Sequence, residues 1–190
     1  MTVPDSFDAP PGYAVVDVSH LPIEEQARLR TMSTLANYER TAEQAIPRAK
    51  DLVRRAKRAG VGRAAALRWL YGRVPSSGCA VGACADSCTD IAMTPLEAQI
   101  IERATGLPGE AFAERCGRCP LLADDGSCSA YDVRPLVCRL FGVVPEMACT
   151  TPGCRPPRRL STVEGLALLL AVNEVGGLRT VAEVEANRGL

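Results

Sequence analysis

Nine cysteines fall between positions 79 and 154: Cys79, Cys84, Cys88, Cys116, Cys119, Cys128, Cys138, Cys149 and Cys154. None lies elsewhere in the 190 residues. Thiols that merely fill a core are scattered along apolar faces. These sit in turns rich in glycine, proline and serine, such as "SGCAVGACADSC" and "CTTPGCRPP". Loops suit thiolate ligation, because several sulfurs must converge on one ion and a loop backbone can aim its N–H groups at them. All nine are therefore candidate metal ligands. "CGRCP" carries the two-residue spacer that forms half of many thiolate sites. Cys128 and Cys138 are candidates for the other half, after intervals of eight and nine residues. On spacing, Cys116, Cys119, Cys128 and Cys138 form one set. Cys79, Cys84 and Cys88, with Cys149 or Cys154, form the other.

The donor set narrows the metal. The single histidine, His20, stands far upstream of the thiols. Sites that need several imidazoles, such as a facial triad or three-histidine zinc, are hard to build from it. An all-sulfur set suits zinc or iron, the latter including an iron–sulfur cluster. The spacing of a radical-SAM cysteine motif is absent. Four thiolates around a divalent ion leave a net charge of about minus two. Arg118, Arg134, Arg139 and Arg155 each lie within a few residues of a cysteine. Their positive charge would offset that excess.

The rest of the composition bounds the class. Acidic and basic residues balance at 22 each, and aromatics make up 4 % of the chain. The core must be built mostly from Ala, Leu and Val. Charge is uneven, however. Nine basic residues fall between Arg48 and Arg73 against Asp51 alone. Such a run is a solvated helix face or a surface for an acidic partner or nucleic acid. No aromatic platform or groove-reading motif accompanies it. The N-terminus lacks the charged start and apolar stretch of a signal peptide. "GLALLLAV" from Gly165 is too short to cross a bilayer. A soluble, cytoplasmic protein with no membrane partner is expected. In that reducing compartment, clustered cysteines point to metal over disulfides. No general base, nucleophile or cofactor loop stands out, so no catalytic residue is assigned.

The elements that must position the thiols are helical. Apolar residues recur near helical spacing from Leu21 to Gly72. Pro47 is expected to kink or end the first helix, and "GVG" to separate the last segment, "RAAALRWLYG". "MTPLEAQIIERATG" is a helix with Thr94 as N-cap, Pro95 at the first position, Glu97 completing a capping box and Gly106 as its stop. A last helix starts at the second capping box, Ser161 and Glu164, and stops near Gly176. Residues 13–18 could add one short strand. The Cys-bearing stretches between these elements read as loops and turns, with Asp124-Asp125-Gly126 as one turn. The expected fold is mainly α with irregular Cys-rich metal-binding loops, a small single-core domain. Its parts are a loose segment 1–20, a basic helical region 21–75, a cysteine module 76–158 and a helical segment 159–190 packed on it.

The segment "CPLLADDGSCSAYDVRPLVCRLFG" resembles the signature of the YkgJ-type cysteine cluster proteins, the CxxCxxCC family. Its members are described as zinc- or iron-chelating domains. The matching residues are Cys119-Pro120-Leu121, Gly126, Cys128, Tyr131, Arg134-Pro135, Cys138-Arg139 and Phe141. "CTDIAMTPLEAQII" is similar to the family's run from its first cysteines into a capped helix. The resemblance covers residues 79 to 142 and implies metal binding through cysteines. It departs from the family at the upstream motif. There Cys79, Cys84 and Cys88 are three where the family has four, and Thr89 follows Cys88. Cys149, Cys154, Asp86 or Asp90 is a candidate for the fourth place. A related cysteine module occurs in flagellin lysine N-methylases, but no SAM-binding Gly-rich loop is present here. Three functions fit: a zinc or iron protein of structural, regulatory or electron-transferring role; an iron-dependent metalloenzyme; and a metal-folded module whose basic 48–73 helices bind an acidic partner.

Overall fold

The computed structural model describes residues 23–76, 88, 92–108, 111, 118–147 and 156–187, with the backbone alone for 23–38. The segment 1–20, the proposed strand at 13–18 and His20 lie outside the described residues. The chain divides into two compact units, Met1–Tyr38 and Glu39–Leu190. In the first, the described part is helical. The architecture is helical, as expected. Among the described residues there is no strand, only one isolated antiparallel bridge between Leu122 and Cys128.

Helix α1 spans Ile23–Arg58 and runs through Pro47 without a break. Of the two outcomes expected at Pro47, a kink or an end, the end does not occur. A mid-helix proline costs about 3 kcal/mol through its missing N–H and its clash with the preceding turn. The apolar stripe that crosses it outweighs this. Ala42, Ala45, Ile46, Ala49, Val53 and Ala56 recur every three or four residues and are all buried in the main core. Arg55, Lys57 and Arg58 in the last turn complement the helix dipole.

After the turn at 59–62, α2 (Arg63–Tyr71) buries Ala66, Leu67 and Leu70. Helix α3 (Pro95–Thr105) has the cap and stop expected. The Thr94 hydroxyl accepts from the Glu97 N–H, the Glu97 carboxylate accepts from the Thr94 N–H, and Gly106 closes the end with φ 75°. A short helix, α4 (Leu136–Leu140), lies where loop was expected. Pro135 precedes it and fixes its start. Helix α5 (Thr162–Gly176) begins at the Ser161–Glu164 capping box and is apolar nearly all round. It is the hub of the fold, packing on α2, α3, α4 and α6. Helix α6 (Val181–Ala186) starts at a third capping box, Thr180 with Glu183. That box stands in the sequence as "TVAE", but a helix of six residues is too short to show an apolar period.

The main core joins α1, α2, α4, α5 and α6 through Ala, Leu, Val and Ile side chains. A smaller cluster of Ile101, Cys119, Leu121 and Ala130 lies beside it, flanked by Cys88, Met93, Leu107, Leu122, Cys128 and Val133. Helix α3 serves both. Leu96 and Ile100 pack on the main core, and Ile101 is fully buried in the small one. Burying a side chain of that size contributes about 1.5–3 kcal/mol. The basic run largely finds partners inside the chain. Lys50 pairs with Glu185, Lys57 with Glu174, and Arg54 and Arg55 with Asp51. The Arg63 Nε–H donates to the Val175 carbonyl at 2.7 Å, and Arg73 stacks on Trp69 at 4.0 Å. No helix among the described residues is long and apolar enough to cross a membrane.

Two glycines set how closely α5 meets its neighbours. A Cβ at Gly165 would stand 2.7 Å from Val144 Cγ1, and one at Gly176 would overlap the Thr94 side chain. Gly176→Ala is therefore predicted to push α5 off the start of α3 and cost about 1–3 kcal/mol, as overpacking of a tight contact does. Urea unfolding of the two proteins measures it. A midpoint equal to that of the unmutated chain would show that α5 does not need this close approach.

Candidate metal centre

Four of the nine cysteines fall among the described residues: Cys88, Cys119, Cys128 and Cys138. Cys79, Cys84, Cys116, Cys149 and Cys154, with Asp86 and Asp90, lie outside them. The four are brought together by three local devices. Cys119-Pro120-Leu121-Leu122 forms a turn closed by the Leu122 N–H on the Cys119 carbonyl at 3.1 Å. Proline at its second position presets the φ that the turn needs. The N–H groups of Leu121 and Leu122 also reach the Cys119 sulfur. This is the backbone-to-sulfur aim expected of a ligating loop.

A tight reversal follows. The Ala123 N–H donates to the Ser127 carbonyl at 2.8 Å, and the Gly126 N–H to the Ala123 carbonyl at 3.0 Å. The Asp125 carboxylate accepts from the Ser127 N–H at 2.8 Å. Gly126 takes φ 81°, a left-handed conformation that glycine adopts at little cost. The chain folds back so that Ser129 N–H meets the Leu121 carbonyl at 2.9 Å and Cys128 pairs with Leu122. Cys128 thereby returns to the neighbourhood of Cys119. A 3-10 turn over Tyr131–Val133 leads to Arg134, extended at φ −52° and ψ 143° as the following Pro135 requires. Cys138 then sits within α4, not in a loop.

Cys88 joins from upstream. The Cys119 N–H donates to its carbonyl at 3.0 Å. Spacing puts Cys88 in a different set from Cys119, Cys128 and Cys138; in the fold it packs at the same small apolar cluster as Cys119 and Cys128. Sequence interval could not reveal this, because the link is a backbone hydrogen bond across thirty residues of chain.

The electrostatics carry the mark of crowded sulfur. Burial first, and then the neighbouring Cys119, Cys128 and Cys88, push the Cys138 thiol up to about 12 against the opposing pull of Arg134. Burial raises Cys119, against the backbone N–H groups of Leu121 and Leu122, and Cys88 and Cys128 add to the rise. Burial and then Cys128 raise Cys88. No three cysteine, histidine or acidic side chains among the described residues stand close enough to hold an ion unaided. The thiols are neighbours, not a finished cage. A metal nevertheless suits this donor set. Thiolates that repel one another in a poorly solvated pocket are stabilised by a shared cation. The Nε–H of Arg134 is also buried with no acceptor. An anionic centre supplies the kind of acceptor that this donor lacks.

Behind the thiols stands a buried carboxylate. Glu97 accepts from the Thr94 N–H at 2.7 Å, the Leu136 N–H at 2.8 Å and the Tyr71 hydroxyl at 2.6 Å. It thus fixes the start of α4, and with it Cys138, against α2 and α3. Burial, and then the Glu97 charge, hold the Tyr71 phenol above its ordinary range. The Arg139 guanidinium caps the Tyr71 ring at 4.3 Å and donates to the carbonyls of Arg134 and Asp132 at 2.9 and 2.7 Å. The sequence pattern marks Glu97 only as a helix cap. Its second role depends on tertiary packing and left no local signal.

Residues 78–155 match a family model, CxxCxxCC, described as "Putative zinc- or iron-chelating domain". The match spans all nine cysteines, including Cys149 and Cys154 beyond the stretch of resemblance noted in the sequence. No curated protein and no solved structure matches the chain.

Two outcomes are predicted. Glu97→Ala strands the buried Leu136 N–H and the Tyr71 hydroxyl, and should cost roughly 2–5 kcal/mol in chemical denaturation. A loss under about 0.5 kcal/mol would mean that other acceptors replace it, as expected only for surface changes. The second concerns pH. Folded-state values of Cys88, Cys119 and Cys138 lie above the ordinary 9.0, so above that pH the unfolded chain releases protons that the folded chain keeps. Metal-free protein should hold its full stability below pH 9 and lose it progressively as pH rises toward 12. Tyr71 acts in the same direction. Urea midpoints under reductant and chelator at pH 8 and pH 10.5 measure this, and Cys138→Ser should flatten the slope. A midpoint that rises across this interval would contradict the buried-thiol assignment.

Proposed function

With residues 78–155 matching the CxxCxxCC family model, we propose that this protein binds zinc or iron through cysteine thiolates, with Cys88, Cys119, Cys128 and Cys138 supplying ligands to one centre. The observation that supports the reading is that Cys88, Cys119 and Cys128, from distant stretches of chain, meet at one small apolar cluster, with the Cys119 N–H on the Cys88 carbonyl at 3.0 Å, while their charges also bear on Cys138. The N–H groups aimed at the Cys119 sulfur support it. Cys79, Cys84, Cys116, Cys149 and Cys154 are the remaining candidates. They would complete that centre or form a second one, and nine thiols also suffice for a polynuclear iron–sulfur cluster.

The chain's own contribution is positioning. Cys119 and Cys128 sit on the two arms of one reversal, Cys88 is pinned to Cys119 through the backbone, and Cys138 is held by the Glu97 anchor on α4. When bound, the metal supplies the positive charge that these sulfurs lack and cross-links the loops that carry them. Because ligation requires thiolate, loading releases protons and couples to the folding of the small cluster.

Anaerobic elemental and sulfide analysis with a visible absorption spectrum tests the reading. Colourless protein with stoichiometric zinc is expected for a thiolate zinc site. Iron with acid-labile sulfide and broad visible absorption is expected for a cluster. Cys119→Ser and Cys138→Ser should each lower bound metal and the melting temperature of the loaded protein. Metal content equal to the unmutated protein in both variants would remove these residues from the ligand set. A purified chain that takes up neither zinc nor iron would sink the proposal itself.

A further inference from the structure

A cavity of about 470 Å³ opens between α1, the turn after α2 and the start of α5. Its size falls in the range of small-molecule sites. No cysteine lines it. Its floor is apolar, made by Leu52 on α1, Leu160 just before α5, and Ala167 and Leu168 on α5. These four side chains also belong to the main core or pack on it, so the floor is preformed. Three arginines from three different elements stand round it: Arg48 on α1, Arg73 just after α2 and Arg158 just before α5. The two acids at its edge are already committed. Asp51 pairs with Arg54 and Arg55, neither of which lines the cavity. The Glu164 carboxylate accepts from the Ser161 N–H at 2.8 Å, the Ser161 hydroxyl at 3.0 Å and Arg158 at 2.9 Å. Arg48 and Arg73 have no acidic partner among the described residues. Arg73 lies on the Trp69 ring at 4.0 Å, which holds its guanidinium in place.

We propose that this cavity binds a small organic anion, an oxyanion head group carried on a short apolar body. The rim and the floor call for the two halves of such a molecule. Like charges gathered at a concave surface raise the local concentration of anions. Guanidinium groups present paired N–H donors that match a carboxylate or a phosphate. The Arg158–Glu164 pair is largely exposed, and such pairs contribute little. Arg158 can therefore turn to a bound anion while the Ser161–Glu164 cap stays closed. The floor needs an uncharged part to cover it, which a bare inorganic anion lacks. A nucleic-acid backbone offers charge without apolar surface to lay on the leucines. An amphiphilic acid supplies both.

The test titrates the full chain with octanoate, read by calorimetry and by the emission of Trp69, the single tryptophan. One octanoate per chain should bind with a dissociation constant of about 1 mM or tighter, as a ligand of its size allows. Octyl phosphate carries the same body on the other head group, and the tighter of the two names the head. Octanamide keeps the body without the charge, and acetate keeps the charge without the body. Each should bind at least about 10-fold more weakly than octanoate. Arg48→Gln removes an exposed side chain and leaves the core alone. It should weaken octanoate roughly 5- to 10-fold. Arg73→Gln should weaken it and also abolish the Trp69 response. Arg103→Gln, on an exposed position of α3 away from the lining, should change neither reading. Octanamide binding as tightly as octanoate would overturn the proposal, since the apolar floor alone would then explain it. So would an unchanged affinity in Arg48→Gln, or no saturation by about 10 mM octanoate. A duplex oligonucleotide that binds the unmutated chain but not Arg48→Gln, with octanoate unbound, would give this face to nucleic acid instead. Because no cysteine lines the cavity, a chain that takes up no metal leaves the proposal standing, and its failure leaves the metal reading standing.

Discussion

The structure turns on one buried carboxylate. Glu97 has almost no access to water, yet it carries three hydrogen bonds from three different elements: the cap of its own helix, the phenol at the end of α2 and the first N–H of α4. A carboxylate in such a place is tolerable only when its lone pairs are occupied. The requirement runs both ways. The buried Leu136 N–H and the half-buried Tyr71 hydroxyl both spend their hydrogen bonds on this one group, so the three elements are bound to one another's positions. Cys138 follows Leu136 by two residues, and so its placement is settled by a group that never touches sulfur. The loops that carry Cys119 and Cys128 are then closed against α3 by the small apolar cluster around Ile101. Hydrogen bonding fixes one side of the centre and apolar burial fixes the other.

Local chemistry was the most legible part of the sequence. Thr94 with Glu97 and Ser161 with Glu164 announced their helices because a capping box is a contact between residues three apart and needs nothing distant. Asp125 and Gly126 announced their turn for the same reason. The helix does not end at Pro47 because the penalty of a proline is local, whereas the burial that outweighs it is spread over six residues, from Ala42 to Ala56, and depends on the rest of the main core being there to cover them. Helix α4 was missed because five residues are too few to show a period. What holds α4 is the Glu97 carboxylate, thirty-nine residues upstream.

The candidate site divides in the same way. Cysteine clustering, an all-sulfur donor set and the Arg-Pro before Cys138 could be read directly, and they pointed to metal. The grouping of Cys88 with the downstream thiols could not, since it rests on a backbone hydrogen bond between distant loops. Nor could the difference among the arginines. In the sequence Arg118, Arg134 and Arg139 are equivalent neighbours of cysteine. In the fold one is exposed, one is committed to carbonyls and an aromatic face, and one is left with a buried donor to spare.

The two close-packed glycines of α5 have a bearing on how this chain can vary. Gly165 and Gly176 are eleven residues apart, three turns with only about 20° of angular drift, so they lie on one face of the helix. One faces Val144 just after α4, and the other faces Thr94 at the cap of α3. The helix thus carries two notches matched to two fixed points on the Cys-bearing half of the fold. Inserting or deleting a single residue between them would turn one notch about 100° away and set a side chain where none fits. The length and phase of α5 are locked as a key's bitting is locked, and drift in this helix must proceed by exchange of residues and not by change of length.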